Sequence, residues 1–314
     1  MVRDTLEPPS QALSMRGEDL AVLGNGNAHG ACSLLHAAGL GYGASLALDL
    51  PVAVRLLDSP SKRDLDDPDE LLDQVLAAWT AAGHELPNGQ PAEAFHWAVA
   101  SKIPPRQGLK SSAAVAVAAL RALGDATSTS LETAEIVAMA AQAQIDAGVS
   151  LTGSIDDAWA CAAPGWKLID PQAQSIQEGV LLESPGPQPD DWYVLLVCRG
   201  DRERKPELED FVPHAGAFQQ ALSALQEGRE LVALTWNGRA MLSVLGDILG
   251  RKLTNDALLN GARAAGITGS GSALVVVTPK VSKPTCERLK RFFESRNDGT
   301  TVVVTSFLSG LEEE

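Results

Sequence analysis

The stretch GLKSSAAVAVAALRAL, residues 108–123, most constrains how this chain can fold, because it carries no charged side chain from its first serine to Arg121. Alanine favours helix, and a helix without a polar face has to be buried on most sides. The segment 95–103 before it alternates loosely and runs into Pro104-Pro105, which end a strand and disfavour helix before them. The sequence therefore predicts a strand, a short glycine-containing loop and a buried helix.

The elements predicted around this helix follow an α+β order. Two neighbouring strands are predicted at 43–48 and 52–57, and LDDPDELLDQVLAAWTAAG predicts a helix that begins at Pro68, with Asp67 as its cap and Gly83 at its end. The other predicted elements are a helix at 131–147, strands at 166–170 and 192–197, helices at 206–226, 229–249 and 254–265, a strand at 272–278, a helix at 286–295 and a strand at 301–307. Such an order is typical of the α+β class.

Length and local composition predict two domains. The chain has 314 residues, more than one compact core normally holds. Residues 171–190 are rich in proline, glycine and polar side chains, as is usual where one domain ends and another begins. We therefore expect domains at residues 1–175 and 176–314.

The composition disfavours several classes of partner. A formal net charge of −15 and a pI of about 4.8 repel nucleic acid and anionic membranes. No apolar run approaches the ~18 residues that span a bilayer, and the first residues lack the apolar run of a signal peptide. The four cysteines are widely spaced, which predicts reduced, buried thiols. We expect a cytoplasmic protein that acts on a small molecule, as a monomer or a homodimer.

The loop between the predicted strand and the buried helix is a candidate anion site. The start of a helix presents backbone N–H groups and the positive end of its dipole. Gly108 permits close backbone approach, Lys110 adds a positive charge, and a serine hydroxyl can bind phosphate or magnesium. An ordinary serine cap explains the same residues, and local chemistry leaves both interpretations open.

Three further segments bear on possible chemistry. Asp156 and Asp157 follow a glycine-containing loop, where one of them could take a proton in phosphoryl transfer or both could cap a short helix. The turn GITGSGS, residues 266–272, permits backbone to approach a ligand or forms a tight structural turn. GNGNAH at Gly24 lacks the third glycine of a dinucleotide fingerprint, and the chain contains no Walker loop.

The segment PPRQGLKSSAA resembles the central motif of the GHMP kinases, whose usual form is a proline, a few small residues and GLGSSAA. This chain differs at Arg106 and Gln107, where small residues are usual, and at Lys110, where most members have glycine. GLKSS is similar to the archaeal-type shikimate kinases within this superfamily, as are VSLTGSIDDAWACAAPGWKLID and AHGACSLLHAAGLGYGASLALDLPVAV. AAGITGSGSALVVVT resembles the superfamily's C-terminal glycine-rich turn.

This resemblance implies a two-domain GHMP kinase fold that holds ATP and Mg²⁺. Its N-terminal α/β domain is expected to contain a left-handed βαβ unit, and its C-terminal domain to be ferredoxin-like. The resemblance assigns Asp156 as catalytic base, Lys110 as a second catalytic residue and Ser112 as a magnesium ligand. The second protein ligand is left open among Gln142, Gln144 and Asp146.

The resemblance also assigns the binding residues. Those expected to bind ATP are Pro104, Pro105, Arg106, Gln107, Gly108, Leu109, Lys110, Ser111, Ser112, Ala113, Ala114, Gly269, Ser270 and Gly271. Those expected to bind the acceptor are Asn27, His29, Asp156 and Thr268.

The function that the resemblance implies is ATP-dependent phosphorylation of shikimate to shikimate 3-phosphate. Shikimate carries a carboxylate, which requires a cation in the site. The candidate cations are Arg106, Lys110, Arg199, Arg202, Arg204 and Lys205, although a solvated loop explains most of the last four. Homoserine, a sugar or mevalonate as acceptor, or a catalytically silent metabolite-binding protein, are the alternatives.

Overall fold

The computed structural model describes residues 21–61, 64–150, 152–153, 155–201 and 204–310. The expectations for the start of the chain and for Arg202 lie outside these residues. Within them the chain forms two antiparallel sheets covered by helices, and the α+β class is confirmed. No helix in this part of the chain is long and apolar enough to cross a bilayer.

The first sheet contains five strands, which are β1 (Val22–Leu35), β2 (Gly43–Leu57), β3 (His96–Ser101), β4 (Trp166–Ile169) and β5 (Val180–Ser184). β2 is the central strand, with β1 on one side and both β3 and β4 on the other. β5 pairs with β4. The first sheet therefore extends beyond the predicted boundary at residues 175 and 176.

β2 continues through Pro51, where two separate strands were predicted. Pro51 pairs with His29 and Ala47 pairs with Ala31, so the register between β1 and β2 shifts beside the proline. A proline has no N–H for the ladder and is tolerated in sheets at such irregularities. The carbonyl of Pro51 accepts from the N–H of Lys102 at 3.0 Å. The prediction of two strands was wrong because a bulge absorbs the proline.

Four helices belong to this half, namely α1 (Leu71–Ala81), α2 (Ser111–Thr127), α3 (Thr133–Asp146) and α4 (Ile155–Ala162). α1 begins at Leu71, because Glu70 has a left-handed backbone with a φ of 53°. Asp67 is nevertheless its cap, since its carboxylate accepts from the N–H groups of Leu71 and Leu72 at 3.0 and 2.9 Å. The cap was predicted correctly, whereas the start at Pro68 was not.

α2 is buried against β1, as its composition predicted. A Cβ on Gly26 would lie 1.9 Å from the carbonyl oxygen of Ala118, and one on Gly24 would lie 2.1 Å from that of Ala122. Only glycine permits a helix backbone to lie this close to a strand. The glycines of GNGNAH therefore allow β1 to pack closely against α2. The small alanine side chains of α2 allow the same close approach from the side of the helix.

The second sheet contains β6 (Trp192–Cys198), β7 (Ala264–Ile267), β8 (Leu274–Pro279) and β9 (Thr301–Thr305), in the order β7-β8-β6-β9. Its helices are α5 (Ala215–Gln226), α6 (Glu230–Val244), α7 (Ile248–Leu259) and α8 (Lys283–Glu294). Helices connect β6 to β7 and β8 to β9, and β7 pairs directly with β8. This is the ferredoxin-like arrangement that was predicted.

Several elements differ from the predictions. β1 lies where no element was predicted, because its asparagines and glycines disfavour strand locally. β5 lies in the predicted linker. The predicted helices at 229–249 and 254–265 are displaced: Gly246, with a φ of 66°, separates α6 from α7, and the last residues of the second one form β7.

The two halves share buried contacts that hold the end of β1. Asn237 on α6 is fully buried, and its Oδ1 accepts from the N–H of His36 at 2.9 Å. Its Nδ2 donates to the carbonyl of Ser33 at 3.4 Å. Phe307, after β9, bridges back to Leu48 on β2. The four cysteines are free and buried, as predicted.

Candidate active site

The loop between β3 and α2 has an unusual backbone. Gly108 has a φ of 80°, and two residues with side chains, Arg106 and Lys110, have φ values of 57° and 64°. A left-handed conformation costs an ordinary residue roughly 1–2 kcal/mol. Lys110 occupies the N-cap of α2, where no side chain makes a capping bond. The serines of GLKSS are therefore not the cap that local chemistry allowed, but the first two residues of the helix.

The loop is held by the turn between β7 and β8. Thr268 donates from its hydroxyl to the carbonyl of Gly108 at 3.1 Å. Gln107 is buried, its Nε2 donates to the carbonyl of Gly200 at 2.6 Å, and its own carbonyl accepts from Ala273 at 3.2 Å. A Cβ on Gly271 would lie 2.2 Å from the backbone of the loop. The glycines of this turn therefore permit two backbones to pack directly together.

The first backbone N–H groups of α2 are not used in hydrogen bonds within the helix. The first hydrogen bond of the helix runs from the N–H of Ala114 to the carbonyl of Lys110 at 3.0 Å. The N–H groups of Ser111, Ser112 and Ala113 therefore have no partner within the helix. Free N–H groups of this kind, together with the positive end of the helix dipole, can bind an anion such as a phosphate group.

Lys110 reaches from this loop to α4. Its Nζ lies 2.8 Å from Oδ1 of Asp157, and the two side chains are only 9% and 15% exposed. The carbonyl of Lys110 also accepts a weak hydrogen bond from the thiol of Cys161, with Sγ at 3.7 Å. The loop and the first turn of α4 are thus joined by a buried ion pair.

A serine of β2 completes the cluster. The hydroxyl of Ser45 lies 2.7 Å from Oδ1 of Asp157 and 3.1 Å from Oδ2 of Asp156. Asp156 is 7% exposed and packs on the backbone of Gly43, where a Cβ would lie 2.5 Å from its Cγ. Strand, loop and helix therefore hold two carboxylates side by side, with one lysine charge.

The two carboxylates differ in their affinity for a proton. Burial raises the pKa of Asp156, and the neighbouring charge of Asp157 raises it further. Burial also acts on Asp157, but the attraction of Lys110 and the hydrogen bonds of Lys110 and Ser45 outweigh it and lower its pKa. Burial opposes the charge of Lys110, yet the two carboxylates hold its pKa above the ordinary value. Asp157 is the charged partner of Lys110, and Asp156 is the carboxylate that can accept a proton near neutrality.

A cavity of about 830 Å³ opens beside this cluster and is lined by both halves of the chain. The predicted residues that line it are Pro105, Arg106, Gln107, Gly108, Leu109, Lys110, Ser111, Ser112, Ala113, Asp156, Gly269, Ser270 and Gly271. The predicted residues outside its lining are Pro104, Ala114, Asn27, His29 and Thr268. The structure thus brings the three motifs to one place.

The residues predicted to bind the acceptor lie elsewhere, except for Asp156. The carbonyl of Asn27 on β1 accepts from Arg121 on α2 at 2.7 Å, and His29 pairs with Pro51 beside the bulge. Thr268 is fully buried and joins the loop to β1, since its hydroxyl oxygen also accepts from the N–H of Ser33 at 3.1 Å. Their contacts are those of packing and sheet structure.

Several cavity residues were not identified from the sequence, among them Ser33 on β1, His36 directly after it and Trp97 on β3. Burial, and then the charge of Lys110, lower the pKa of His36 to about 4, so this ring is neutral at physiological pH. The available signal for Ser33 was a single hydroxyl within the apolar run ACSLL. Trp97 has a buried Nε1 without a hydrogen-bond partner among the described residues.

Three cations line the cavity in the part of the chain that the structure describes, and two of them face carboxylates. Lys110 pairs with Asp157, and Arg106 lies 3.9 Å from Asp201 at the surface. Lys205 instead donates to the carbonyl of Gly148, another residue of the cavity lining, at 3.5 Å. Of the other candidate cations, Arg199 pairs with Asp247 and Arg204 with Asp210, and neither lines the cavity.

The described residues contain no group of three or more His, Cys, Asp or Glu side chains that could hold a metal ion. Magnesium needs fewer protein ligands when phosphate oxygens supply most of its shell. Ser112 at the start of α2 and Gln144 on α3 both line the cavity and offer hard oxygen atoms. The Gln144 amide donates from Nε2 to the carbonyl of Ala140 at 3.1 Å, which leaves Oε1 as the atom suited to a cation. The donor set therefore fits a magnesium ion carried by a nucleotide.

The fold and the site define the class of this protein, an α+β protein in which a glycine-containing loop at the start of a buried helix contacts a buried carboxylate cluster. The family model described as the GHMP kinases N terminal domain matches residues 71–165. This range contains the loop, the start of α2 and both aspartates. The sequence motifs and the family model therefore agree that this part of the chain resembles the GHMP kinases.

Two sequence relatives of this chain are named shikimate kinases. The chain is 32% identical over 192 residues to a shikimate kinase of Methanothermobacter thermautotrophicus, an alignment that covers 58% of this chain and 63% of that relative. It therefore spans slightly less than two thirds of that protein. The chain is 24% identical over 247 residues to a shikimate kinase of Thermoplasma acidophilum, which covers 78% of this chain and 83% of the relative.

A solved structure extends the likeness of fold to most of the chain. The mevalonate kinase of Methanococcus jannaschii superimposes with a TM-score of 0.69 at 14% identity, over 91% of this chain and 98% of that one. At this identity the comparison concerns architecture only.

Proposed function

We propose that this protein is a kinase that transfers the terminal phosphoryl group of ATP to a hydroxyl of shikimate. The observation that carries the proposal is the cluster at the start of α2, in which Lys110, Asp156 and Asp157 line the cavity. Ser45 is hydrogen-bonded to both carboxylates. Kinases of small molecules need an anion site, a positive charge and a proton acceptor close together. The lining of this cavity supplies a candidate for each of the three, namely the start of α2, Lys110 and Asp156.

The N–H groups of Ser111, Ser112 and Ala113 would hold phosphate oxygens, and the glycine turn at Gly269–Gly271 would close over them. These groups are fixed before a ligand arrives, because the loop is hydrogen-bonded to that turn through Gly108. Donors fixed in this way need no reorganisation when charge moves during the reaction. Magnesium, held by phosphate oxygens with Ser112 and Gln144, would supply neutralisation of phosphate charge.

Asp156 would take the proton of the acceptor hydroxyl. Burial and the charge of Asp157 raise its pKa, which makes it a better proton acceptor than an exposed aspartate. Ser45 and Gly43 hold its side chain in one position. Asp157 would keep the ammonium of Lys110 within the site, and this is the role that we assign to the unusual lysine of GLKSS.

Shikimate is the acceptor that the sequence relatives favour, since both reported relatives are named shikimate kinases. Its carboxylate requires a cation that is not already neutralised. Lys205 is the cation of the described cavity lining that lacks a carboxylate partner there. We assign the acceptor carboxylate to Lys205 for this reason.

The proposal is tested by a coupled assay of ADP release over shikimate, homoserine, mevalonate and galactose. We expect turnover with shikimate and at most a trace with the other three. Asp156→Ala and Asp156→Asn should each lower kcat by about 10²- to 10⁴-fold, the usual contribution of a general base. Equal turnover by both variants would remove Asp156 from its role, and turnover with another acceptor alone would reassign the substrate.

A further inference from the structure

The hydroxyl of Ser33 is a buried polar group that the protein does not satisfy. Ser33 is 2% exposed, and its Oγ has no hydrogen-bond partner among the described residues. The residue lines the cavity described above. Buried hydroxyls in proteins nearly always have a partner, so an unpaired one on a cavity wall calls for a functional explanation.

The backbone of Ser33 is held firmly on both sides. Its N–H donates to the hydroxyl of Thr268 at 3.1 Å, and its carbonyl accepts from Asn237 at 3.4 Å. Both partners belong to the second half of the chain. These bonds fix the backbone of Ser33, and with it the point from which its side chain extends, at the wall of the cavity.

The position of Ser33 in the sheet shows which part of the cavity wall it belongs to. On the neighbouring strand its Cα partner is Ser45, the residue that holds both carboxylates. His36, three residues further, lines the same cavity as a neutral ring. Ser33 therefore lies on the wall next to the proton acceptor, where the acceptor molecule of a kinase has to sit.

We propose that the Ser33 hydroxyl is a specificity contact for a second hydroxyl of the acceptor, one adjacent to the hydroxyl that is phosphorylated. The inference rests on the proposed function and adds to it the residue that recognises a second hydroxyl of the acceptor. A serine hydroxyl can donate to and accept from such a group. A site built around a buried hydroxyl rejects acceptors that leave it unpaired.

The test compares Ser33→Ala with the control Thr278→Val, which removes a buried hydroxyl in β8 outside the cavity. For Ser33→Ala we expect the KM for shikimate to rise roughly three- to tenfold, the loss expected for one hydrogen bond between neutral groups. The KM for ATP should change by less than about twofold, as should both KM values of Thr278→Val. Ser33→Cys, which is nearly isosteric but a weak hydrogen-bonding residue, should repeat the effect.

Thermal unfolding separates this role from a structural one. If the hydroxyl has no partner in the ligand-free protein, the unfolding midpoint of Ser33→Ala should equal or exceed that of the wild type. A lower midpoint with an unchanged KM for shikimate would overturn the proposal and make Ser33 a packing residue. An unchanged KM in both Ser33→Ala and Ser33→Cys would overturn it as well.

Shikimate analogues that each lack one hydroxyl identify the group that Ser33 contacts. For one of them the wild type and Ser33→Ala should have the same KM, because the bond is already absent. If the difference between the two proteins persists for every analogue, the contact is not with an acceptor hydroxyl. If the wild type turns over homoserine or mevalonate instead of shikimate, the proposed acceptor and this inference both fall. Normal wild-type turnover of shikimate with unaffected variants overturns only the inference.

Discussion

Nζ of Lys110 lies 2.8 Å from Oδ1 of Asp157, and the lysine makes this contact from a left-handed backbone at the first position before α2. The superfamily motif usually has glycine here, which adopts that conformation without strain. In this chain Lys110 adopts the left-handed backbone, which is strained for a residue with a side chain. Its ammonium group supplies a buried positive charge between the loop that precedes α2 and the first turn of α4. The ion pair therefore explains why a residue that is locally unfavourable stands at this position.

Removal of the lysine charge should destabilise the protein. In Lys110→Met the carboxylate of Asp157 stays buried without its partner, and we expect the free energy of unfolding to fall by about 3 kcal/mol. Urea unfolding followed by circular dichroism measures this loss. The double variant Lys110→Met/Asp157→Asn should recover most of it, because both charges are then absent. A loss below about 1 kcal/mol in the single variant would show that the pair is solvated.

The rate of phosphoryl transfer should depend on the ionisation of Asp156. Because its pKa is raised, kcat should fall with decreasing pH through a midpoint clearly above about 3.9, the ordinary value for aspartate. A pH profile of kcat with saturating substrates measures the midpoint. A profile that is flat down to about pH 5 would contradict the assignment.

Stability should show the opposite dependence on the same group. The raised pKa means that the folded protein binds this proton more tightly than the unfolded chain. Asp156 therefore reduces stability progressively as pH rises from the unfolded value through the folded one. Asp156→Asn should have a higher unfolding midpoint than the wild type at about pH 8–9 and a smaller difference at about pH 5, in spite of its expected loss in kcat.

The position of Asp156 should depend on Gly43. In Gly43→Ala the new methyl group would lie 2.5 Å from Cγ and Oδ1 of Asp156, so the carboxylate has to move. A displacement of about 1 Å at a reacting group can cost roughly 10²-fold in rate. We expect a loss in kcat of this order in the ADP-release assay, with a cooperative unfolding transition retained.

The matched control for this substitution is Gly216→Ala. Gly216 lies on α5 with an ordinary helical φ, and a Cβ added there would meet no atom of a neighbouring element within 4 Å. Alanine at this position should leave kcat unchanged and raise stability by about 0.5–1 kcal/mol. Equal kinetic effects of the two substitutions would show that the loss at Gly43 is not specific to Asp156.

Lys205 should control the affinity for the acceptor carboxylate. Lys205→Met should raise the KM for shikimate by roughly tenfold or more, as expected for loss of a hydrogen bond to a charged group. Lys205→Arg keeps the charge and should retain most of the affinity. The methyl ester of shikimate should show little difference between the wild type and Lys205→Met. An equal effect of Lys205→Met on both compounds would contradict a carboxylate contact.

Much of the architecture could be predicted from local patterns. The capping carboxylate of α1 and the buried α2 follow from cap residues and helix composition, and the α+β class follows from the order of elements. The ferredoxin-like second half was implied by the family resemblance. β1 was not predicted, because glycine disfavours strand locally. In the folded chain these glycines are required, since α2 packs directly against them. The strand β7 was taken for the end of a helix, since alanines alone do not distinguish the two.

The candidate site likewise has features that the sequence predicts and features that depend on tertiary packing. The sequence by itself determined which short motifs could bind anions or move protons, because the conformational freedom of glycine, the start of a helix and the presence of a carboxyl group are local properties. Only the tertiary structure decided their roles. Ser45, Lys110 and Asp157 are separated by many residues in the chain, and their contacts exist only because β2, the loop and α4 pack together. Asn27 and His29 were expected in the acceptor pocket, but Ser33 and His36 line the cavity instead. Burial and strand register decide which residues face the cavity, and both are properties of the folded chain.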